Sequence, residues 1–415
     1  MINSERILEM AENRQAHRLR ERKMPENWWF YAKKKFPLFP GVSRAVHPSF
    51  LDGYYQAWQM RMGWPRKLIN ALSYAIFQAW LPWRARKIAD RFGLDKSWRR
   101  KALSLSRDRF VDPSQIDVYR IESPDELDSY LRSFEWNEIN RRLNPRHWGP
   151  DCVLFNKADF YLRCMLNGTP IPKTYAITSS GVPEIFELPE PGKIIVKPSL
   201  GCGGVGIAIR NVPPDLALSH NRFETFLMGQ TEFDCGDWIY QEKCKVHPAL
   251  APIALDALPT ARISTMVNEH GEAEIVTSVL RFASVPETVV DNLSAGGSMA
   301  PIDLETGEVG TACMGHHGGD FVDHPETGAR IAGLTMPAWE VCKSIVQKAH
   351  LNAFPDYALI GWDVGITDNG PVIIEGNAKP CPVVAQRGPR KGLGDTRFGE
   401  LIAWHLAQQD GTESR

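Results

Sequence analysis

Three polar side chains near the end of the sequence have the types and spacing of a cation site. Asp363, Glu375 and Asn377 lie in YALIGWDVGITDNGPVIIEGNAKP, where two apolar segments flank the turn residues DNG. Because side chains alternate along a strand, a hairpin that pairs Thr367 with Pro371 places Asp363 opposite Glu375, with Asn377 on the same face. Two facing carboxylates destabilise a hairpin unless something compensates their charge. A hard divalent cation such as Mg²⁺ would compensate it.

This hairpin leaves two alternatives open. Pro371 has no N–H to close the turn, and another register places Asp363 opposite Gly376. The segment is also consistent with a solvated hairpin whose acids bind no ligand. In the register that brings the acids together, the opposite face carries the predicted core residues Val364, Ile366, Val372 and Ile374.

A glycine-rich segment, GKIIVKPSLGCGGVGIAIR over residues 192–210, has the composition of a phosphate-binding turn. Its glycines satisfy the spacing G-x-G-x-x-G, but an apolar strand follows where a dinucleotide-binding motif opens a helix. The lysine and hydroxyl pair that closes a P-loop is also missing from the glycine run. What remains is a strand, a turn and a strand, with Lys197 just before the turn. Such a hairpin either folds over phosphates or is a flexible turn whose glycines serve only its geometry.

A second lysine is predicted in the first turn of a helix. Asn156 is a suitable N-cap for the segment NKADFYLRCMLNG, and Gly168 is a suitable residue to end it. Lys157 then opposes the helix dipole, which is favourable if the lysine and the helix N-terminus hold an anion together. A lysine that points to solvent is the alternative.

Two further segments place polar groups on apolar strands. DWIYQEKCKVHP, residues 237–248, ends a strand in Gln241, Glu242 and Lys243, where acceptors and backbone donors could read the edge of an adenine. Arg262 and Arg281 lie on two successive strands. An arginine on an apolar strand usually pairs with an acid or an oxyanion.

The order of these segments resembles that of the ATP-grasp superfamily. The segments LPTARISTMV, VDNLSAGGSMAPIDLETG, HPETGARIAGLTMPAW and GWDVGITDNGPVIIEGNA resemble its sugar-transfer-associated branch more closely, over about residues 150–390. The resemblance implies an α+β fold in which two subdomains with antiparallel sheets hold ATP between them. Here a mainly helical region precedes that fold, where the superfamily usually has a small α/β domain.

The resemblance also implies a role for each candidate residue. The residues expected to bind ATP are Lys157, Lys197, Gly201, Gly203, Gly204, Gly206, Gln241, Glu242 and Lys243. The expected ligands of one or two Mg²⁺ ions are Asp363, Glu375 and Asn377. The expected catalytic residues, which would hold a carboxylate or the transferred phosphate, are Arg262 and Arg281. The residues expected to line the acceptor side are Asp291, Asn292, Gly296 and Gly297.

The chemistry implied by the resemblance is an ATP-dependent ligation. A small-molecule or glycan carboxylate attacks the γ-phosphate to give an acyl phosphate, and an amine then displaces phosphate. The enzyme contributes mainly positioning and charge neutralisation. Two alternatives remain: a phosphotransferase that stops at phosphoryl transfer, and a non-catalytic nucleotide-binding partner in polysaccharide assembly.

Charge is distributed unevenly along the sequence. Residues 1–110 contain 23 Lys and Arg and 9 Asp and Glu, a net charge of +14, whereas the remaining residues contain 25 and 40, a net charge of −15. Seven of the 13 tryptophans lie between Trp28 and Trp98. Such a region either binds an anionic partner, such as an acidic glycan, a nucleotide-sugar, RNA or a membrane surface, or docks on the acidic remainder of the protein.

These patterns suggest four parts of the chain. Residues 1–120 are a helical, basic and Trp-rich region, 121–245 and 246–400 are the two ATP-grasp subdomains, and 401–415 are a tail. The sequence has no run of about 18 apolar residues, no secretory signal and no C-x-x-C pair among its eight cysteines. We therefore expect a cytoplasmic protein, with peripheral attachment to the inner membrane face as a variant of that expectation.

Overall fold

Helices followed by two antiparallel sheets make up the part of the chain that the computed structural model describes. That part comprises residues 4–20, 47–61, 63–145, 152–179, 182–201, 204, 206–214, 216, 219–229, 236–286, 297–314 and 319–412. The architecture confirms the α+β class and the mainly helical N-terminal region.

Among the described residues, six helices lie between positions 4 and 143. They are α1 (Ser4–Arg20), α2 (Asp52–Arg61), α3 (Trp64–Phe92), α4 (Lys96–Arg109), α5 (Pro113–Tyr119) and α6 (Ser133–Leu143). Asp95 and Asp112 cap α4 and α5, because their carboxylates accept from the backbone N–H groups of Trp98 and Ser114. In the described ranges, none of the helices is long and apolar enough to cross a membrane.

The first sheet has the strand order β2–β1–β5–β3–β4. Its strands are β1 (Thr174–Ser179), β2 (Val182–Ile185), β3 (Gly192–Pro198), β4 (Ala208–Val212) and β5 (Trp238–Glu242). Helix α7 (Lys157–Leu166) shares a core with one face, through Phe160 and Ile239, and α8 (His220–Gly229) shares a core with the other, through Phe223 and Tyr240. Strands β3 and β4 pair antiparallel, which confirms a turn between two strands in the glycine-rich segment.

The second sheet has the strand order β10–β9–β8–β7–β6–β11–β12. Its strands are β6 (Thr260–Val267), β7 (Ala273–Phe282), β8 (Ser298–Pro301), β9 (Ala312–Met314), β10 (Asp320–Phe321), β11 (Leu359–Thr367) and β12 (Gly370–Asn377). Helix α9 (Trp339–Lys348) lies against this sheet, and its Val346 shares a core with Ile263 and Trp362. Every residue of β11 is buried.

The hairpin of β11 and β12 brings Asp363 opposite Glu375, although its turn differs from the predicted one. Thr367 pairs with Gly370 and not with Pro371, so the turn is one residue tighter than expected. The register shifts between Asp363 and the next pair, because β12 contains one extra residue there. This bulge restores the predicted opposition of the two carboxylates.

The bulge changes which side chains of β12 reach the core. Val364 and Ile366 of β11 are buried as predicted. Ile373 is the core residue of β12, whereas Val372 and Ile374 are only half-buried, so the prediction of a core position was wrong for those two. A one-residue shift sends the side chains of a strand to the opposite face, which explains why Ile373 is buried in place of Val372 and Ile374.

Backbone hydrogen bonds attach this hairpin to segments that flank the first sheet. The N–H of His247, just beyond β5, donates to the carbonyl of Ile366 at 3.0 Å, and the N–H of Ile373 donates to the carbonyl of Pro170 at 2.8 Å. The hairpin therefore lies beside the first sheet, whose strand β3 carries Lys197.

The described part of the chain ends in two helices, α10 (Pro382–Arg387) and α11 (Arg397–Thr412). Residues 401–412, which the sequence suggests as part of a tail, belong to α11. Its Leu401 and Leu406 share a core with Trp136 and Ile139 of α6. This packing holds α6 and α11 against the second sheet, through Met266 and Leu359.

A buried ion-pair cluster docks α1 on the first sheet. The Arg14 guanidinium donates to Asp159 of α7 at 2.9 Å, to Asp237 at 2.6 Å and to the Ser179 hydroxyl at 3.0 Å. The basic N-terminal region thus contacts acids of the remainder of the protein, as the docking interpretation expects for this helix.

Candidate active site

Asp363 lies at the centre of an arginine pair on the second sheet. Arg262 of β6 pairs directly with Asp363 across the strands, and its guanidinium donates to both carboxylate oxygens, the Oδ2 contact being 2.9 Å long. Arg281 of β7 donates from Nη1 to Oδ1 at 3.1 Å. Burial alone would raise the pKa of Asp363, but the two guanidiniums hold that pKa below its usual range. The carboxylate is therefore ionised.

The predicted metal ligands lie on the same hairpin, and hydrogen bonds already occupy most of the lone-pair positions of one of them, Asp363. A carboxylate has about four lone-pair positions. Three N–H groups of Arg262 and Arg281 already donate to Asp363. Glu375 faces Asp363 and keeps 29% of its side chain exposed, and Asn377 donates to the Gly361 carbonyl at 3.3 Å.

This donor set has the oxygen ligands that a hard divalent cation uses. Among the described residues no cluster of three or more His, Cys, Asp or Glu side chains could hold a metal by itself. Two carboxylates and an amide oxygen suit Mg²⁺, which binds through few protein oxygens and keeps water and phosphate ligands.

Lys157 begins α7 and extends toward the hairpin. The Asn156 side chain accepts from the backbone N–H groups of the first turn, as predicted for an N-cap. The ammonium of Lys157 lies 3.5 Å from a carboxylate oxygen of Glu375 and donates to the Gly201 carbonyl at 2.6 Å. The lysine thus links the helix N-terminus, the glycine-rich turn and the hairpin.

Lys197 is buried beside the same carboxylate. Its ammonium donates to the Tyr161 hydroxyl at 2.6 Å and lies 4.5 Å from the centre of the Tyr161 ring, and the hydroxyl donates to the Ile374 carbonyl. Burial is the main cause that lowers the pKa of Lys197 to about 7; the carboxylate of Glu375 opposes this shift, and the charge of Lys157 contributes to it. A lysine that titrates near neutrality in a cleft is typical of a functional site.

The site carries an excess of positive charge. Four cationic side chains, Lys157, Lys197, Arg262 and Arg281, lie with the two carboxylates of the hairpin. With Lys197 protonated, the formal charge of these groups is +2. A polyanion such as a nucleotide triphosphate is attracted by such a cluster.

The predicted adenine-binding residues tie β5 to β1. Gln241 is buried and donates to the Thr174 hydroxyl at 2.9 Å, while a carboxylate oxygen of Glu242 accepts from the backbone N–H of Lys173 at 2.8 Å. Lys243 is exposed. The role of these residues in adenine binding stays a prediction. The side chains of Gln241 and Glu242 also hold β5 to the start of β1.

The glycine-rich turn contains backbone that other residues rarely adopt. The φ angles of Gly201, Gly204 and Gly206 are 129°, 80° and 81°. A Cβ atom at Gly206 would also lie 3.1 Å from the Pro198 ring. The turn therefore requires glycine for its shape, while Gly203 lies outside the described residues.

The predicted acceptor side is described only in part. Asp291, Asn292 and Gly296 lie outside the described residues, and Gly297 is buried just before β8. Their role in acceptor binding stays a prediction.

Two features near the site were missed at the sequence level. Tyr161, which joins Lys197 to the hairpin, lies four residues after Lys157 on one helix face, and this spacing could have indicated it. Asp320 of β10 is surrounded by Arg120, Arg387 and Arg390, with contacts of 3.0 Å to Arg387 and 2.6 Å to Arg390. Its arginines come from distant parts of the sequence.

Asp320, which these three arginines surround, lies on the same sheet as Arg281, three strands away from it. Arg281 pairs with Met299, Met299 with Cys313, and Cys313 with Asp320, so the four side chains form one row across β7 to β10. With about 4.8 Å between neighbouring strands, this row spans roughly 14 Å. Met299 and Cys313 of this row are fully buried and share a core with Val384 of α10.

Comparison with known proteins identifies one family. The family described as sugar-transfer-associated ATP-grasp matches residues 136–396, which is more than half of the chain. A search of curated proteins finds no match.

Solved structures show a weaker similarity. D-alanyl-alanine synthetase A from Vibrio cholerae is 13% identical over 63% of this chain and 68% of that chain, with a TM-score of 0.37. The D-alanine–D-alanine ligase from Bacillus anthracis is 13% identical over 63% and 70%, with a TM-score of 0.35. The L-amino acid ligase from Bacillus licheniformis is 13% identical over 68% of this chain and 51% of its own, with a TM-score of 0.34.

Proposed function

Because the chain belongs to the sugar-transfer-associated ATP-grasp family, we propose that it is an ATP-dependent ligase that joins a carboxylate to an amine. One observation supports this proposal above the others. Lys157 lies 3.5 Å from the carboxylate of Glu375, and the buried Lys197 interacts electrostatically with the same carboxylate. Two lysines beside an acid pair suit the phosphates of a metal-bound nucleotide.

Nucleotide and metal binding are assigned to the residues around Glu375. ATP with Mg²⁺ supplies the phosphoryl group that activates a carboxylate as an acyl phosphate. Lys157 and Lys197 neutralise phosphate charge, and the glycine-rich turn offers backbone N–H donors. Glu375 and Asn377 bind the cation. Asp363 contributes the lone-pair position that does not accept a hydrogen bond from Arg262 or Arg281.

Arg262 and Arg281 are assigned to the reacting carboxylate. A guanidinium has five N–H donors in a planar fork, so it can contact Asp363 and a second oxyanion together. Asp363 holds both guanidiniums in place, which orients them before the substrate binds. In this role the arginines bind the acceptor carboxylate and stabilise the oxyanion that forms when the amine attacks.

The acceptor is proposed to be an anionic sugar acid or amino acid used in polysaccharide or small-molecule biosynthesis. The family description supports the link to sugar transfer. Because the reaction consumes ATP, we place the enzyme in the cytoplasm.

A product analysis tests the proposal. The full chain is incubated with MgATP and a panel of carboxylates and amines, and both ADP release and new product masses are recorded, with Lys197→Met as the inactive control. ADP together with an amide product supports the ligase. A phosphorylated acceptor that survives in the presence of amines identifies a phosphotransferase, and nucleotide binding without turnover of any pair identifies a binding partner.

A further inference from the structure

Helix α3 presents an apolar surface to solvent over its first five turns. The side chains of Trp64, Leu68, Ile69, Leu72, Ile76 and Trp83 are 48% to 76% exposed. Their spacing of three, four and seven residues places them on one side of the helix. Lys67 is the one charged residue among the twelve exposed positions from Trp64 to Trp83. We call this side of α3 the outer face.

The other side of α3 already packs against the protein. Leu81, Ala85 and Ile88 are buried there, and the Phe77 ring lies 3.9 Å from the ring of Phe110. This contact with the end of α4 fixes how α3 is rotated. The outer face is therefore not the side of α3 that packs in the core of this protein.

Seven of the 17 large apolar side chains exposed in the described part of the chain lie between Met60 and Trp83. The others are scattered over the surface. Isolated exposed apolar residues need no explanation, but a contiguous patch of them marks an interaction site.

The surroundings of the outer face are cationic. The sequence has no Asp or Glu between Asp52 and Asp90, and residues 64–109 contain 12 Lys and Arg and 3 Asp, a net charge of +9. Lys67 lies near one end of the outer face, and the exposed Arg86 and Lys87 lie beyond the other. A partner for this surface must be apolar where it meets the helix and anionic around it.

We propose that the outer face of α3 docks the protein on an anionic lipid surface. The helix lies parallel to the bilayer, with its apolar side chains at the boundary between headgroups and acyl chains and its lysines and arginines at the headgroups. From Trp64 to Trp83 the face is about 28 Å long. Tryptophans at both ends suit the membrane interface, where one part of the ring is apolar and the other is hydrated.

Charge argues against two other occupants of this face, a second copy of the chain and residues 21–46 of the same chain. A second copy of the chain would bring two cationic rims together. Residues 21–46 of the same chain contain six Lys and Arg and two Glu, so they also carry positive charge. Only an anionic surface complements both the apolar face and its rim.

Vesicle binding by the full-length protein tests this inference and requires no nucleotide. We expect co-sedimentation with vesicles of phosphatidylcholine and phosphatidylserine, weaker binding to phosphatidylcholine alone, and a decrease as salt rises. The double variant Leu72→Ser, Ile76→Ser should bind anionic vesicles at least about tenfold more weakly, because the apolar contact is lost. Arg86→Gln with Lys87→Gln should lower binding to anionic vesicles only.

The matched control removes two exposed apolar side chains elsewhere. Val341→Ser with Leu351→Ser should bind vesicles as the wild type does. The inference is overturned if the wild type does not bind anionic vesicles or if the outer-face variant binds them as well as the wild type. It is also overturned if the outer-face variant instead converts a lipid-free dimer to a monomer, which identifies a second copy as the occupant.

Discussion

At the scale of single residues, the buried lysine of the site should make nucleotide binding depend on pH. Burial lowers the pKa of Lys197 to about 7, so at pH 8 most of the unliganded protein carries it neutral. Phosphates favour the protonated form and raise this pKa. Binding should therefore take up a proton near pH 8, and nucleotide affinity should fall as the pH rises above about 7.

Calorimetric titration with a non-hydrolysable ATP analogue, in buffers of different ionisation enthalpy, measures this proton uptake. Lys197→Arg is the control, because an arginine stays charged throughout this range and should abolish the uptake. Equal uptake in the wild type and in Lys197→Arg would assign the proton to another group.

The two acids of the hairpin should respond differently to loss of their charge. Asp363 is buried between two arginines, so Asp363→Asn leaves buried positive charge and should lower the free energy of unfolding by about 3–5 kcal/mol. Glu375 is half-exposed, so Glu375→Gln should change stability little and should instead weaken the magnesium dependence of nucleotide binding.

Denaturant unfolding and nucleotide titrations with and without Mg²⁺ separate these effects. Wild-type magnesium dependence in Glu375→Gln would contradict the assignment of Glu375 as a metal ligand. A stable Asp363→Asn variant would contradict the account of the arginine pair.

At the scale of elements, the glycine-rich turn should be sensitive to a single methyl group. Gly206→Ala places a residue with a Cβ atom at a φ of 81° and close to Pro198, and we expect both strain of about 1–2 kcal/mol and weaker nucleotide binding. Gly271, in the turn between β6 and β7, has a φ of 79° and open space around its Cα atom. Gly271→Ala should therefore cost similar strain without changing nucleotide affinity, which equilibrium unfolding and titration measure.

At the scale of the whole molecule, the N-terminal helices should stabilise the ATP-grasp fold through α1. Arg14→Met removes a buried guanidinium that bonds to Asp159 and Asp237, and we expect a loss of about 3–5 kcal/mol of unfolding free energy. Arg6, in the same helix, pairs with Glu184 at an exposed position, so Arg6→Met should cost at most about 1 kcal/mol. Equal stability of the two variants would show that α1 is not docked through Arg14.

The sequence by itself determined the local elements and the order of the candidate residues. The N-cap at Asn156 and the strands around the glycine-rich turn follow from spacing and turn chemistry. These features depend on residues that are near one another in the chain, so local rules describe them.

Only the tertiary structure decided which distant groups meet. The bulge in β12, the contact of Lys157 with Glu375 and the insertion of Arg14 between two acids depend on packing between elements that are far apart in sequence. The lowered pKa of Lys197 likewise arises from burial, which the sequence does not specify. Local patterns do not set burial or long-range pairing, because both depend on how all the elements pack at once.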